Sequence, residues 1–305
     1  MNTTLINLAV ATLTLGVGAA RLAGSQSHND IDQNKQEAEM HARPQVEEQR
    51  QQAERQAEAS LDQEAIAAIT ATTDAVKAIT ENRMAEAISA IERATGKIDV
   101  LLARNPANAL IPVAIDVHLI DLAPLEIDAI KARAALAERA TDDREFPTAR
   151  VLLDGLTSEI RVRTTNLPLV TYPIALQTAA RLLGEKKTAE ASGVLLVALN
   201  TLAVTDQVTP LPLLLTRAAI DAAQSLREKD KNAAQTHLAT ARHELERAKE
   251  LGYAARDPEY ASLNKSIVDL EKQVKGNDDT QPAFERLKER VSAFFKRQSE
   301  TKRPS

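Results

Sequence analysis

The chain of 305 residues contains no cysteine and no tryptophan, and it has only four phenylalanines and three tyrosines. The missing cysteine excludes thiol catalysis, cysteine-based zinc sites and lipid attachment at cysteine, and leaves the redox compartment open. Scarce aromatics and a formal net charge of −5 argue against nucleic acid as a partner, which asks for a basic surface and, for single strands, aromatic stacking platforms. There is no HExxH pair, no glycine-rich phosphate loop and no GxSxG turn, the arrangements that bring a metal, a nucleotide or an activated serine to a substrate. His237 and His243 stand six apart and point to different faces of a helix. His28 and His41 are scattered in a polar segment. The sequence therefore predicts no catalytic residues, no bound metal, no cofactor and no enzymatic activity.

What the chain does contain is helical periodicity. Apolar residues at steps of four, three and four share one face of an α-helix. Ala87, Ile91, Ala94 and Ile98 follow that rule, as do Ala149, Leu153, Leu156 and Ile160, then Ala191, Leu195, Ala198 and Leu202, then Ala234, Leu238, Ala241 and Leu245. The last three sets begin at 149, 191 and 234, a period of about 42 residues that suits a repeated pair of helices. Each has a candidate antiparallel partner before it, at Ile66 to Ile79, Ile127 to Ala137, Ile174 to Leu183 and Leu215 to Leu226. A fifth pair, Tyr260 to Val274 with Phe284 to Phe295, closes the series. Pro124, Pro147, Pro173, Pro212 and Pro258 suit first helical positions, where the missing N–H costs nothing. Gly184, Gly252 and Gly276 suit helix ends. The predicted fold is all-α, an array of antiparallel helical hairpins.

One stretch breaks the helical rule. Val113, Ile115, Val117 and Leu119 alternate with Ala114, Asp116, His118 and Ile120, which is the period of a β-strand. A lone strand leaves backbone groups unpaired, and the best partner is the alternation around Ile160 and Val162. The expectation is a small pairing of 113–120 with 160–165 that puts Asp116 and His118 opposite Arg161 and Arg163. The segments Val162 to Pro173 and Ala203 to Pro212 leave two successive repeat helices and carry Thr164, Thr165, Asn166, Tyr172, Thr205 and Asp206. Free backbone groups and polar side chains there make Asp116, His118, Arg163, Thr165, Asn166 and Tyr172 the candidate ligand-binding set.

The two ends differ from the middle. Residues 1–25 hold an apolar run from Leu5 to Ala20 followed by small residues, which reads as a signal peptide too short to span a bilayer. Export to the periplasm follows from that reading, with the segment either cleaved or kept as an N-terminal anchor. Residues 26–63 are rich in Gln, Glu and Arg and form a linker or a solvated helix. The helical domain then occupies 64–276. In 277–305, Phe284, Leu287, Val291, Phe294 and Phe295 fall on one helical face while lysines and arginines outnumber acids. Such a helix either docks on its own domain or lies on an anionic membrane surface.

TTNLPLVTYPIAL, with IERATGKIDVLLARNP and IPVAIDVHLID before it and ALNTLAVTDQVTPLPLL after it, resembles the YfdX family of bacterial proteins over roughly Ala65 to Tyr260. The resemblance implies an exported, largely helical protein tied to acid, heat and related stress, with small-molecule binding and suppression of aggregation as its activities. It supplies no catalytic residues. Together these readings predict a periplasmic binding or holdase-like protein whose partners are unfolded envelope proteins or small amphiphiles, with self-association open to it. The alternative is an envelope scaffold that self-assembles or tethers a partner through its terminal segments.

Overall fold

The computed structural model describes residues 44–253, 257–276 and 279–299, and the backbone of 302–304. The signal-peptide reading of 1–25 and the first part of the polar segment lie outside the described residues. Residues 44–59 form α1, a helix with one half-buried side. Then come α2 (Gln63–Thr80), α3 (Met84–Arg104), β1 (Leu110–Asp121), α4 (Ile127–Asp142), α5 (Phe146–Asp154) and β2 (Ser158–Pro168). They are followed by α6 (Tyr172–Gly184), α7 (Thr188–Asn200), β3 (Ala203–Pro210), α8 (Leu211–Leu226) and α9 (Lys231–Glu250). The chain ends with α10 (Tyr260–Lys275), α11 (Gln281–Ser299) and β4 (Lys302–Pro304).

The period of about 42 residues is a helix–helix–strand unit. It is written as α2–α3–β1, α4–α5–β2 and α6–α7–β3, and α8–α9 begins a fourth copy. Three of the helix–helix turns close alike, with a non-glycine residue at positive φ: Asn82, Arg144 and Lys186, at 57°, 62° and 63°. In each, the next N–H reaches back five residues to a free helix carbonyl: Arg83 to Ala78, Glu145 to Ala140, and Lys187 to Leu182. This is the Schellman closure usually given to glycine. Gly184, read from the sequence as a helix end, is the last residue of α6, two positions before the left-handed Lys186. At the turn from α5 into β2, a Cβ on Gly155 would lie 2.5 Å from Arg133 Nη1, so a larger residue there would displace the guanidinium that donates to the Gly155 carbonyl at 2.7 Å.

The expected strand pairing is present, and it belongs to a larger sheet. The order is β1-β2-β3-β4, antiparallel throughout. Asp116 sits opposite Arg163 and His118 opposite Arg161. A register shift between Pro112 and Ala114 leaves Val113 as the extra residue. Two sequence readings change. The helical grid from Ala149 to Ile160 stops at Asp154, because Leu156 lies in the turn and Ile160 pairs in β2. The extended segment after α7 is strand β3, and its ladder with β2 takes up the backbone groups that the sequence leaves free for a pocket.

Two cores flank this sheet. The first joins α2, α3, α6 and α7 with Ile111, Leu167 and Leu169. The second joins α8 to α11 with Ile160. Helix α11 buries Phe284, Leu287, Val291, Phe294 and Phe295 there. Of the two arrangements open to this helix, docking on its own domain is therefore the one the structure has. Among the described residues no helix is long and apolar enough to cross a membrane.

Candidate functional site

The six sequence-predicted site residues separate into three places. Paired residues of an antiparallel sheet share a face, and the faces alternate along each strand. Asp116, His118, Arg163 and Thr165 therefore lie on one face, together with Arg161 and Asp206. Asn166 is on the opposite face and buried, where its Nδ2 donates to the carbonyls of Thr164 and Ala203 and to Thr205 Oγ1 at 3.0–3.1 Å. Tyr172 opens α6 in the first core and is 1% exposed.

On the shared face the charges are matched across strands. Arg163 donates two hydrogen bonds to Asp206, Nε to Oδ1 at 2.9 Å and Nη2 to Oδ2 at 2.8 Å. Those bonds hold the Asp206 carboxyl below its usual range, against the opposing effect of burial, and raise Arg163 in turn. Arg161 donates through Nε to Glu159 at 2.8 Å. The other Glu159 oxygen accepts from the Tyr253 hydroxyl at 2.8 Å, and that hydroxyl accepts from the Ser158 N–H at 3.1 Å. Asp116 and His118 are exposed beside this ladder. Two-point pairing of this kind fixes geometry and leaves Arg163 and Asp206 occupied with each other, so the cluster is a brace across the sheet that both cores use. Among the described residues no three histidine or acidic side chains come close enough to hold a metal ion.

The largest interior charge is one the sequence did not single out. Arg247 of α9 is fully buried and donates to the Pro124 and Ala123 carbonyls, to Asp121 and to Glu244 at 3.2–3.3 Å. It ties the loop after β1 to α9. Its only sequence signal is the pairing of Glu244 and Arg247 at i, i+3, flanking an apolar stripe. Tyr253, which links Glu159 to Ser158, gave no signal because its partners are 94 and 95 residues away.

Three hollows open on these elements. One of about 340 Å³ lies on the polar sheet face beside Glu159, Arg161, Asp206 and Tyr253, with Leu153 and Val208 as apolar wall. One of about 410 Å³ has Arg247 and Asp121 beneath Leu119, Leu125, Leu211 and Leu215, with Val46 of α1 above. The third, about 490 Å³, lies between α6 and α7 and is mostly apolar. Beneath it the Tyr172 hydroxyl lacks a partner at hydrogen-bond geometry. The nearby Thr72 hydroxyl gives its own proton to Ala68 O at 2.8 Å. Burial pushes the Tyr172 phenol up, and the Thr72 hydroxyl opposes that rise.

Fold and site define a protein of helical hairpins with an antiparallel sheet set between two cores. Residues 68–208 match the model of the YfdX protein family. That match spans 141 residues, a little under half of the chain. In structure comparison it is similar to the solved structure of Salmonella Typhi YfdX, at 15% identity and a TM-score of 0.34, covering 50% of this chain and 93% of that one. No curated protein matches the sequence.

Proposed function

We propose that this protein is an exported, non-catalytic binding protein of the cell envelope that holds unfolded chains and small amphiphiles during stress. The observation that carries the reading is large apolar side chains left in solvent on two hairpins that follow one another in the chain. On α4–α5 and its flanks, Leu122, Phe146, Val151 and Leu153 are 55–71% exposed, and on α6–α7, Ile174 and Val197 are 61% and 62% exposed. A single exposed leucine is ordinary, whereas several large apolar side chains more than half exposed on successive hairpins are more than a folded surface needs. Both hairpins come from the portion that matches the family model, and the apolar run of residues 5–20 supports export. The occupied charge pairs of the sheet face speak for a binding role over catalysis.

The experiment is light scattering of an acid- or heat-stressed client protein with and without this protein, at neutral pH and near pH 5. Suppression at equal or lower molar ratio is the expected result, and replacing Phe146 and Val151 together by serine reduces it. No suppression at either pH overturns the reading.

A further inference from the structure

The cleft between α6 and α7 has a feature that its own fold does not require. Gly193 lies inside the 13-residue helix α7, where glycine is among the least favourable residues. Close packing does not explain it, since a Cβ there would meet no heavy atom within 4 Å. Its φ is not in the left-handed region, so backbone conformation does not call for glycine either. What the glycine does is leave the cleft floor bare, between Val194 and Val197 on one side and Ala175 with the Tyr172 ring on the other.

The cleft is also asymmetric in charge. Glu190, Gly193, Val197 and Thr201 recur at three- and four-residue steps, so one stripe of α7 runs along it. From 190 to 201 that stripe is roughly 16 Å long at the helical rise of 1.5 Å per residue. Glu190 is the one charged side chain lining it among the described residues. The neighbouring Lys187 pairs with Glu185 at 2.9 Å and also feels the charge of Glu190, while Arg181 reaches the same Glu185. A carboxylate at one end of an apolar trough favours a positive head on an apolar body.

We propose that this cleft binds a cationic amphiphile, its apolar chain over Gly193 between Ala175 and Val197 and its positive head at Glu190. The proposal deepens the binding reading above by naming a ligand class and one of the two exposed hairpins as its place. Glu190 also stands in the first turn of α7, where a negative charge favours the helix. That structural role does not depend on which ligand is added, so the test compares ligands of opposite charge.

The probes are dodecyltrimethylammonium and dodecanoate, each titrated calorimetrically into the full chain below its micellar concentration. The ammonium is expected to bind at one site, about five-fold or more tighter than the carboxylate, the scale of one charge pair near water. Glu190→Gln should erase most of that preference, with no more than the small fall in melting temperature that loss of a first-turn charge brings. Gly193→Leu, whose side chain enters open space, should fold as before and lose both ligands. Equal affinity for the two probes, or binding that survives Gly193→Leu, overturns the proposal. The two readings fail separately: a Gly193→Leu protein that loses the ammonium and still suppresses client aggregation leaves the holdase reading standing. Failure of the unmodified protein in the scattering experiment does not touch the titration.

Discussion

The two cores of this protein solve the same problem with different material. Almost half of the buried side chains in the first core are alanines, among them Ala65, Ala68, Ala75, Ala87, Ala94 and Ala191, all 0% exposed. The second has fewer alanines and adds Phe284, Phe294 and Phe295 from α11. Small side chains stabilise by letting helix backbones approach closely, so each layer holds little volume and leaves little room for more. Phenylalanines stabilise by filling volume, and each buries a large apolar area. The first core should therefore resist enlargement poorly and the second should resist truncation poorly.

The largest expected effect tests the second half of that contrast. Phe294→Ala removes a fully buried ring and leaves a cavity that the surrounding helices fill only in part. The expected loss is about 3–5 kcal/mol, read as a lower denaturant midpoint. The Arg297 guanidinium, 5.7 Å from the ring centre, loses its contact as well. A loss below about 1 kcal/mol would mean that α11 is a dispensable flap, and the contrast between the cores would fall with it.

The first half is tested by enlargement. Ala94→Leu places three extra heavy atoms on the face that α3 turns to the core, at a residue with no exposure. Overpacking of this kind costs about 1–3 kcal/mol. The matched control in the second core is Ala223→Leu on α8, also fully buried, where larger neighbours have more freedom to re-pack and the cost should be smaller. Equal costs at 94 and 223 would show that alanine content does not distinguish the two.

Much of this architecture was legible because it is periodic. Helix pairs, the 42-residue recurrence and the β1–β2 partnership all follow from local spacing, and spacing survives in the sequence. The strand character of β3 was harder to read, because AVTDQVTP mixes polar and apolar residues with weak alternation. What makes it a strand is β2 alongside it. The site was legible only in part. Asp116, His118 and Arg163 came together because a strand register can be guessed from two alternating runs, whereas Asn166 fell on the other face through the same alternation. Arg247 and Tyr253 act through contacts about a hundred residues apart, and nothing in the local pattern distinguishes a buried arginine from a solvated one.

The sheet shared by both cores carries the pH response. Arg163 keeps the folded-state pKa of Asp206 below the unfolded value of about 3.9. A depressed carboxylate contributes stability that is present above its unfolded pKa and is lost as pH falls through the folded one. Asp206→Asn should lower the melting temperature at pH 7, and the gap to the unmodified protein should close as pH falls below about 4. A gap that stays constant down to pH 2.5 would show that Asp206 acts there through packing alone.

The smallest expected effect returns to the alanine-rich core, at the one aromatic it buries. The Tyr172 hydroxyl has been taken out of water without a hydrogen bond of good geometry, and an unmade bond of that kind costs free energy. Phenylalanine keeps the ring that fills the space between the small residues and removes the orphaned oxygen. Tyr172→Phe should therefore be neutral or stabilising by up to about 1 kcal/mol, where loss of a satisfied hydroxyl would destabilise by about the same amount. The sign of the shift in denaturant midpoint decides. A destabilised phenylalanine variant would mean that Thr72 and Tyr172 do bond in solution, and that the first core has a polar anchor as the second has in Arg247. A stabilised one would leave the two cores distinct in polar anchoring as well as in packing.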